Sequence, residues 1–151
     1  VKVFKTDANS SVGHRLTFAI NSWEIIKDNP LIGVGTGDFA LEYKKVNEKN
    51  TPNMPNTSQP HNMYTLDMVQ FGILGLISLL SILYFQFRHA MRTEEPIYKY
   101  IGMALPLLFG VVMLSDSYLL GHYTGMLFIF FSSFLYKRFD SNTSRQMAST
   151  N

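Results

Sequence analysis

From Met68 to Phe87 the chain runs without a single charged side chain. An α-helix needs about 20 consecutive apolar residues to cross the hydrocarbon core of a bilayer, and a helix that is apolar on every side is rarely this long inside a soluble protein. The stretch therefore reads as a transmembrane helix. The whole-chain figure of 46% hydrophobic residues would suit a soluble domain, but it averages a polar region, residues 1–62, with a very apolar one, Met68 to Tyr136. The chain has to fold in two solvents.

Arg88, Arg92 and Lys99 interrupt the apolar region, and after them the stretch from Tyr100 to Tyr136 carries one charge, Asp116. It is too long for one crossing. The pattern predicts two shorter helices, 100–115 and 117–136, joined by a tight turn at Asp116, with a re-entrant hairpin as the alternative for this pair. The expected fold is all-α, a polytopic transmembrane helical bundle with about three membrane helices in residues 63–136 (63–87, 100–115 and 117–136). Short-loop cations mark the cytoplasmic side. Arg88, Arg92 and Lys99 lie in one connector and Lys137, Arg138 and Arg145 in the tail. Residues 137–151 then form a cytoplasmic tail, while residues 1–62 and the Asp116 turn fall on the outer, periplasmic side.

The chain has no cysteine, so packing rather than disulfides must hold the outer loop. It opens without Met or a signal peptide, on residues too polar to insert. The expectation is a C-terminal fragment whose upstream helices complete the protein. Topology accounts for the basic residues behind the net charge of +2, which leaves no case for nucleic acid.

Within residues 1–62, Leu16, Ile20, Trp23 and Ile26 recur at helical spacing, after N-cap candidates Ser10 and Ser11 and before a stop at Asn29-Pro30. That predicts one amphipathic helix. Gly33, Gly35 and Gly37 punctuate a sharp turn, and a short helix from Asp38 to about Val46 follows. The G-x-G-x-G spacing is not the dinucleotide fingerprint and follows no predicted strand. Glu48 to Pro60 reads as an irregular loop.

Arg15 falls in the first turn of its helix, where a cation opposes the macrodipole. An anion would reverse that sign, since free N–H groups and a guanidinium together suit a pyrophosphate. A solvated surface arginine is the other reading. His61 stands where the first membrane helix begins, and there the dipole disfavours imidazolium, leaving a neutral ring able to accept a proton. Helical spacing places His61 on one face with Thr65, Met68, Gly72, Gly75 and Leu79, so that another helix can approach the glycines closely. A capping or headgroup-level histidine is the alternative. Asn62 suits an N-cap. His122 sits between Gly121 and Gly125 near the outer boundary, where an ionisable group is a functional candidate, and Asp67 and Asp116 are similarly placed. No histidine or carboxylate pair has metal-ligand spacing.

Arg15 with Trp23, the run Asn29-Pro30-Leu31-Ile32-Gly33-Val34-Gly35-Thr36-Gly37, and His61-Asn62 followed by Gly72-Ile73-Leu74-Gly75 together resemble the O-antigen ligase family, which includes O-antigen polymerases. The likeness covers about residues 10 to 90. It implies an inner-membrane glycosyltransferase of about a dozen helices (GT-C-like), with a large periplasmic loop, a glycan donor carried on undecaprenyl pyrophosphate and no cofactor or metal. Family members pass that glycan to lipid A-core, to a growing chain or to a protein hydroxyl; O-antigen ligation in lipopolysaccharide biosynthesis is the expected reaction here. By motif, Arg15 would bind pyrophosphate and His61 would be the base. Asn62 and His122 are taken as further substrate-binding candidates. Residues 1–151 alone are expected to be inactive. A polysaccharide exporter or flippase subunit, with Arg15 and His61 lining a polar path, is the non-enzymatic alternative.

Overall fold

A computed structural model describes residues 10–136; the tail cations Lys137, Arg138 and Arg145 lie outside them. All regular structure among the described residues is helical: α1 (Ser11–Asp28), α2 (Phe39–Asn50), α3 (Met63–Met91), α4 (Pro96–Val112) and α5 (His122–Leu135). α3 alone among them is both long and apolar enough to span a membrane. At 1.5 Å per residue, α4 and α5 reach roughly 26 and 21 Å, short of a core about 30 Å thick. The predicted helix ends at Phe87, 115 and 136 shift accordingly. α3 continues through Arg88 and His89 in its last turn, where cations suit the negative end of the dipole. The tight turn expected at Asp116 is a longer segment, residues 113–121, closed by successive turns.

α1 begins where its caps predict, the Ser10 hydroxyl accepting from Gly13 N–H at 3.0 Å, and ends at Asn29. Of the four apolar residues at helical spacing, only Ile26 falls on its buried face. Thr17, Phe18, Asn21, Ser22, Ile25 and Ile26 are buried, while Leu16, Ile20 and Trp23 are exposed. The reason is a polar network between α1 and the end of α2. Asn21 Nδ2 donates to Thr51 Oγ1 at 2.8 Å and lies 3.2 Å from the Tyr43 hydroxyl. Asn47 Nδ2 donates to the Met54 carbonyl at 2.9 Å and to Asn56 Oδ1 at 3.0 Å. These bonds offset the cost of burying the Asn21 Nδ2 and the Asn47 amide, while Asn21 Oδ1 and Ser22 Oγ are buried without a partner. α2 also runs past Val46 to Asn50, absorbing the start of the segment expected to be irregular, because Asn47 is needed in that network.

α3 is broken at Gly72, whose φ is 65° and ψ −158°. The break releases carbonyls that α3 would otherwise use, and the connector between α1 and α2 takes them over. Val34 N–H donates to Val69 O at 2.8 Å, Gly35 N–H to Gln70 O at 2.9 Å, and Ile73 N–H to Pro30 O at 2.9 Å. A Cβ on Gly72 would lie 2.3 Å from the Leu31 carbonyl group, and one on Gly33 would lie 2.4 Å from Gln70 C. The two glycines let the backbones touch. The helix expected to pack on Gly72 is thus a loop, and the break interrupts the single face predicted from His61 to Leu79. Gly75 leaves room instead for Phe71 and Asp67 within its own helix.

Below the break, Leu79 and Leu83 pack with Phe109, Met113 and Phe128 in a core shared by α3, α4 and α5. Pro106 has no N–H for the Gly102 carbonyl four residues earlier, and the Tyr136 hydroxyl donates to it at 2.6 Å. Gln86 Nε2 donates to Ser132 Oγ at 2.9 Å across α3 and α5, a polar tie between apolar helices.

Gly72→Ala should cost on the order of 3 kcal/mol, the left-handed backbone and the collision adding together. Gly110→Ala, whose new methyl would meet nothing nearer than 3.7 Å, serves as the control, and thermal unfolding of the two full-length variants in detergent checks the difference. A second expectation concerns alkaline pH. Burial pushes the Tyr43 hydroxyl above its ordinary 10.0, against a smaller downward pull from the Asn21 hydrogen bond. Once pH passes the unfolded value, the unfolded phenol ionises and the folded one does not, so stability falls as pH rises further. Tyr43→Phe should flatten that limb of a stability profile.

Candidate active site

The start of α3 is bound to the end of α4 by groups that helix termini leave unpaired. Met63 N–H donates to Met113 O at 2.9 Å, Asn62 Nδ2 to Leu114 O at 3.0 Å, and the Tyr64 hydroxyl to Gly110 O at 2.6 Å. Asn62 Oδ1 also caps α3, accepting from Thr65 N–H at 2.9 Å. Both ends of the Asn62 amide therefore hold structure together. The substrate-binding role expected for it would have to share an amide already engaged on both sides.

These ties bring His61, one residue before the cap, against Asp116, two residues beyond Leu114. His61 Nδ1 lies 3.2 Å from Asp116 Oδ1, and the same oxygen accepts from Ser117 N–H at 2.7 Å. A carboxylate accepts, so in the neutral imidazole this contact puts the hydrogen on Nδ1 and the lone pair on Nε2. The carboxylate thus fixes the tautomer that a general base requires. His61 precedes the Asn62 N-cap of α3, and the Asp116 contact orients its ring.

His61 adopts a φ of 53°, a left-handed conformation that costs a residue with a side chain of order 1 kcal/mol and points to a functional role where the surroundings impose it. They do so here. Thr57 Oγ1 donates to Gln59 O at 2.6 Å and accepts from Gln59 N–H at 3.2 Å, Pro60 is buried, and the His61 ring stacks on Phe18 with centroids 6.0 Å apart. Phe18 meets Tyr43 edge-on on another side. Backbone and ring are held from separate elements.

Arg15 is exposed, three residues before Phe18 and so on a neighbouring position of the α1 surface. Its guanidinium has no hydrogen bond or ion pair among the described residues. The free amides expected beside it are partly taken, since Ser10 accepts from Gly13 N–H through its side chain and from His14 N–H through its carbonyl, each at 3.0 Å. A bound anion would rely on the guanidinium. His14 turns toward Phe18, with centroids 6.2 Å apart. His122 opens α5 after Gly121 and is exposed, lining an open cleft of about 350 Å³ with Gln59, Asp116 and Tyr123. The structure therefore joins His61 directly to Asp116 and puts His122 in the cleft that Asp116 also lines; Arg15 makes no hydrogen bond or ion pair with either. Among the described residues no three histidine or carboxylate side chains gather as metal ligands would.

Asp116 is the residue sequence reasoning undervalued. Its signal was present, as the one charge between Tyr100 and Tyr136, but nothing local tied it to a histidine 55 positions earlier.

A family model described as O-antigen ligase matches residues 1–80, more than half of the chain, taking in Arg15 and His61 and stopping before Asp116 and His122. No curated protein matches the chain, and no solved structure does.

Proposed function

Because the chain belongs to the O-antigen ligase family, we propose that it forms the catalytic part of a multi-pass inner-membrane glycosyltransferase, with His61 as general base and Asp116 as the carboxylate that orients it. The contact between His61 Nδ1 and Asp116 carries this reading. The donor is a glycan on undecaprenyl pyrophosphate, and the acceptor is a hydroxyl, most fittingly on lipid A-core, with a glycan end or a protein hydroxyl as the alternatives within the family. Residues 10–62 and 113–121 face the periplasm in this arrangement, and the basic connector between α3 and α4 faces the cytoplasm.

The reaction needs little beyond positioning and one proton transfer. The acceptor oxygen attacks the anomeric carbon, the bond from that carbon to the phosphate oxygen breaks, and undecaprenyl pyrophosphate leaves with the bonding pair. The acceptor proton passes to His61 Nε2. Asp116 stabilises the imidazolium as it forms, as carboxylate–histidine pairs do elsewhere. Arg15, whose guanidinium is exposed and unpaired among the described residues, offers bidentate hydrogen bonds to pyrophosphate oxygens and balances the charge that builds on them. His122 and Gln59, which line the cleft with Asp116, contact sugar hydroxyls in this reading. An exporter or flippase has no need of a histidine whose tautomer is fixed, so the geometry favours transfer.

In the full-length protein, His61→Ala should lower transfer by about 10²–10⁴-fold, the usual size of a general-base contribution, with expression intact. Asp116→Asn should lower turnover with little change in KM, by disturbing the tautomer rather than binding. Transfer assayed with purified lipid-linked glycan decides both, and full activity of His61→Ala would remove the assignment. For Arg15→Ala a weakened apparent affinity for the donor is expected, measured as a raised donor KM with the acceptor saturating. A transporter would instead retain donor on the inner leaflet when the gene is lost.

A further inference from the structure

The connector between α1 and α2 docks onto α3 within the uncharged stretch of that helix. Met68 begins the uncharged stretch of α3, and Gly72, four residues on, lies roughly 6 Å further along the helix. The Leu31 backbone rests on Gly72, and Ile32 lines the rim of an open cleft of about 560 Å³ along α3, with Asp67, Phe71, Leu74 and Ile82. Leu31 and Ile32 are nevertheless 65% and 73% exposed. Two adjacent aliphatic side chains are thus presented outward at a depth where the surface of α3 is itself apolar.

Two independent features fit the same surroundings. Charges stop at Asp28 and resume at Asp38, leaving residues 29–37 uncharged, and the N–H groups of Gly33, Val34 and Gly35 are all bonded, to Asn29, Val69 and Gln70 carbonyls respectively. Irregular backbone survives at membrane depth where protein takes up its polar groups. Behind the tip, Trp23 is 52% exposed on the α1 face it shares with Leu16 and Ile20, beside Tyr64 and Met68 at the outer end of α3. An indole with one apolar side and one polar tip belongs at the level of headgroups.

We propose that this connector is a membrane wedge: Leu31 and Ile32 insert into the hydrocarbon of the outer leaflet against α3, and Trp23 with Leu16 and Ile20 lies on the headgroup boundary above them. The wedge rests on the reading of α3 as a membrane-crossing helix. It extends the apolar belt of α3 onto the region that carries Arg15 and Phe18, and so seats the candidate active site against the bilayer surface.

Trp23 is the sole tryptophan, which makes a fluorescence test clean. In the full-length protein reconstituted in phosphatidylcholine vesicles, with any tryptophans outside this segment and Trp23 replaced by Phe, the variants Ile32→Trp and Leu31→Trp report on the tip separately, so a defect in one leaves the other. Each should lose several-fold more emission to lipids brominated near the top of their acyl chains than to aqueous iodide. Lys44→Trp should show the opposite, and Ile77→Trp should respond most to bromines deep in the chains. If iodide reaches both tip variants, or if neither quencher does while Ile77→Trp is quenched by lipid, the wedge is refuted and the crossing stands. Absence of lipid quenching at Ile77→Trp would overturn the crossing and the wedge together.

Discussion

Hydrogen bonds that α3 gives up at Gly72 are taken over by the backbone of residues 30–35, and the position of the outer region follows from that exchange. In a low-dielectric setting an unpaired peptide group is costly, so the broken turn and the connector each need the other. The exchange fixes where α1 ends and α2 begins relative to α3. That in turn decides where Phe18 stands, and Phe18 is the surface on which the His61 ring lies. A device made wholly of backbone thereby controls the approach of a side chain from a different element.

A second exchange, between the orphan N–H of Met63 and the orphan carbonyl of Met113, acts on the other side of the same histidine. With Asn62 and Tyr64 it joins the start of one apolar helix to the end of another, so the turn carrying Asp116 cannot drift away from His61. The site is assembled from three parts of the chain, each anchored by groups that helix ends or helix breaks leave unsatisfied. A histidine held at positive φ is affordable only in such a frame, since ring stacking and the carboxylate both act on a residue that has no helix of its own to sit in.

What the residues revealed before the structure follows a physical pattern. The apolar run of α3, the Ser10 cap, the stop at Asn29 and the capping role of Asn62 are local events, and each was legible. The buried face of α1 was not. The repeat of Leu16, Ile20, Trp23 and Ile26 marks a helix but not which side of it turns inward; Asn21 lies inward because α2 and Thr51 supply its Nδ2 with partners. Gly72 was misread for a related reason, as a G-x-x-G spacing is equally compatible with close helix packing and with a helix break. The choice was made by peptide groups some forty positions away. His61 was found as a candidate, while its link to Asp116 required knowing that α3 and α4 meet end to end.

The same geometry sets His61 between helices rather than on one. On a helix, a side chain is fixed in direction by its backbone, and its polar partners must come from residues three or four positions away. His61 stands free of α3, so its orientation is set by Asp116, Phe18 and the turn at Thr57–Gln59. That arrangement depends on the relative placement of α1, α3 and the 113–121 turn. Those are the elements that the two backbone exchanges hold in place.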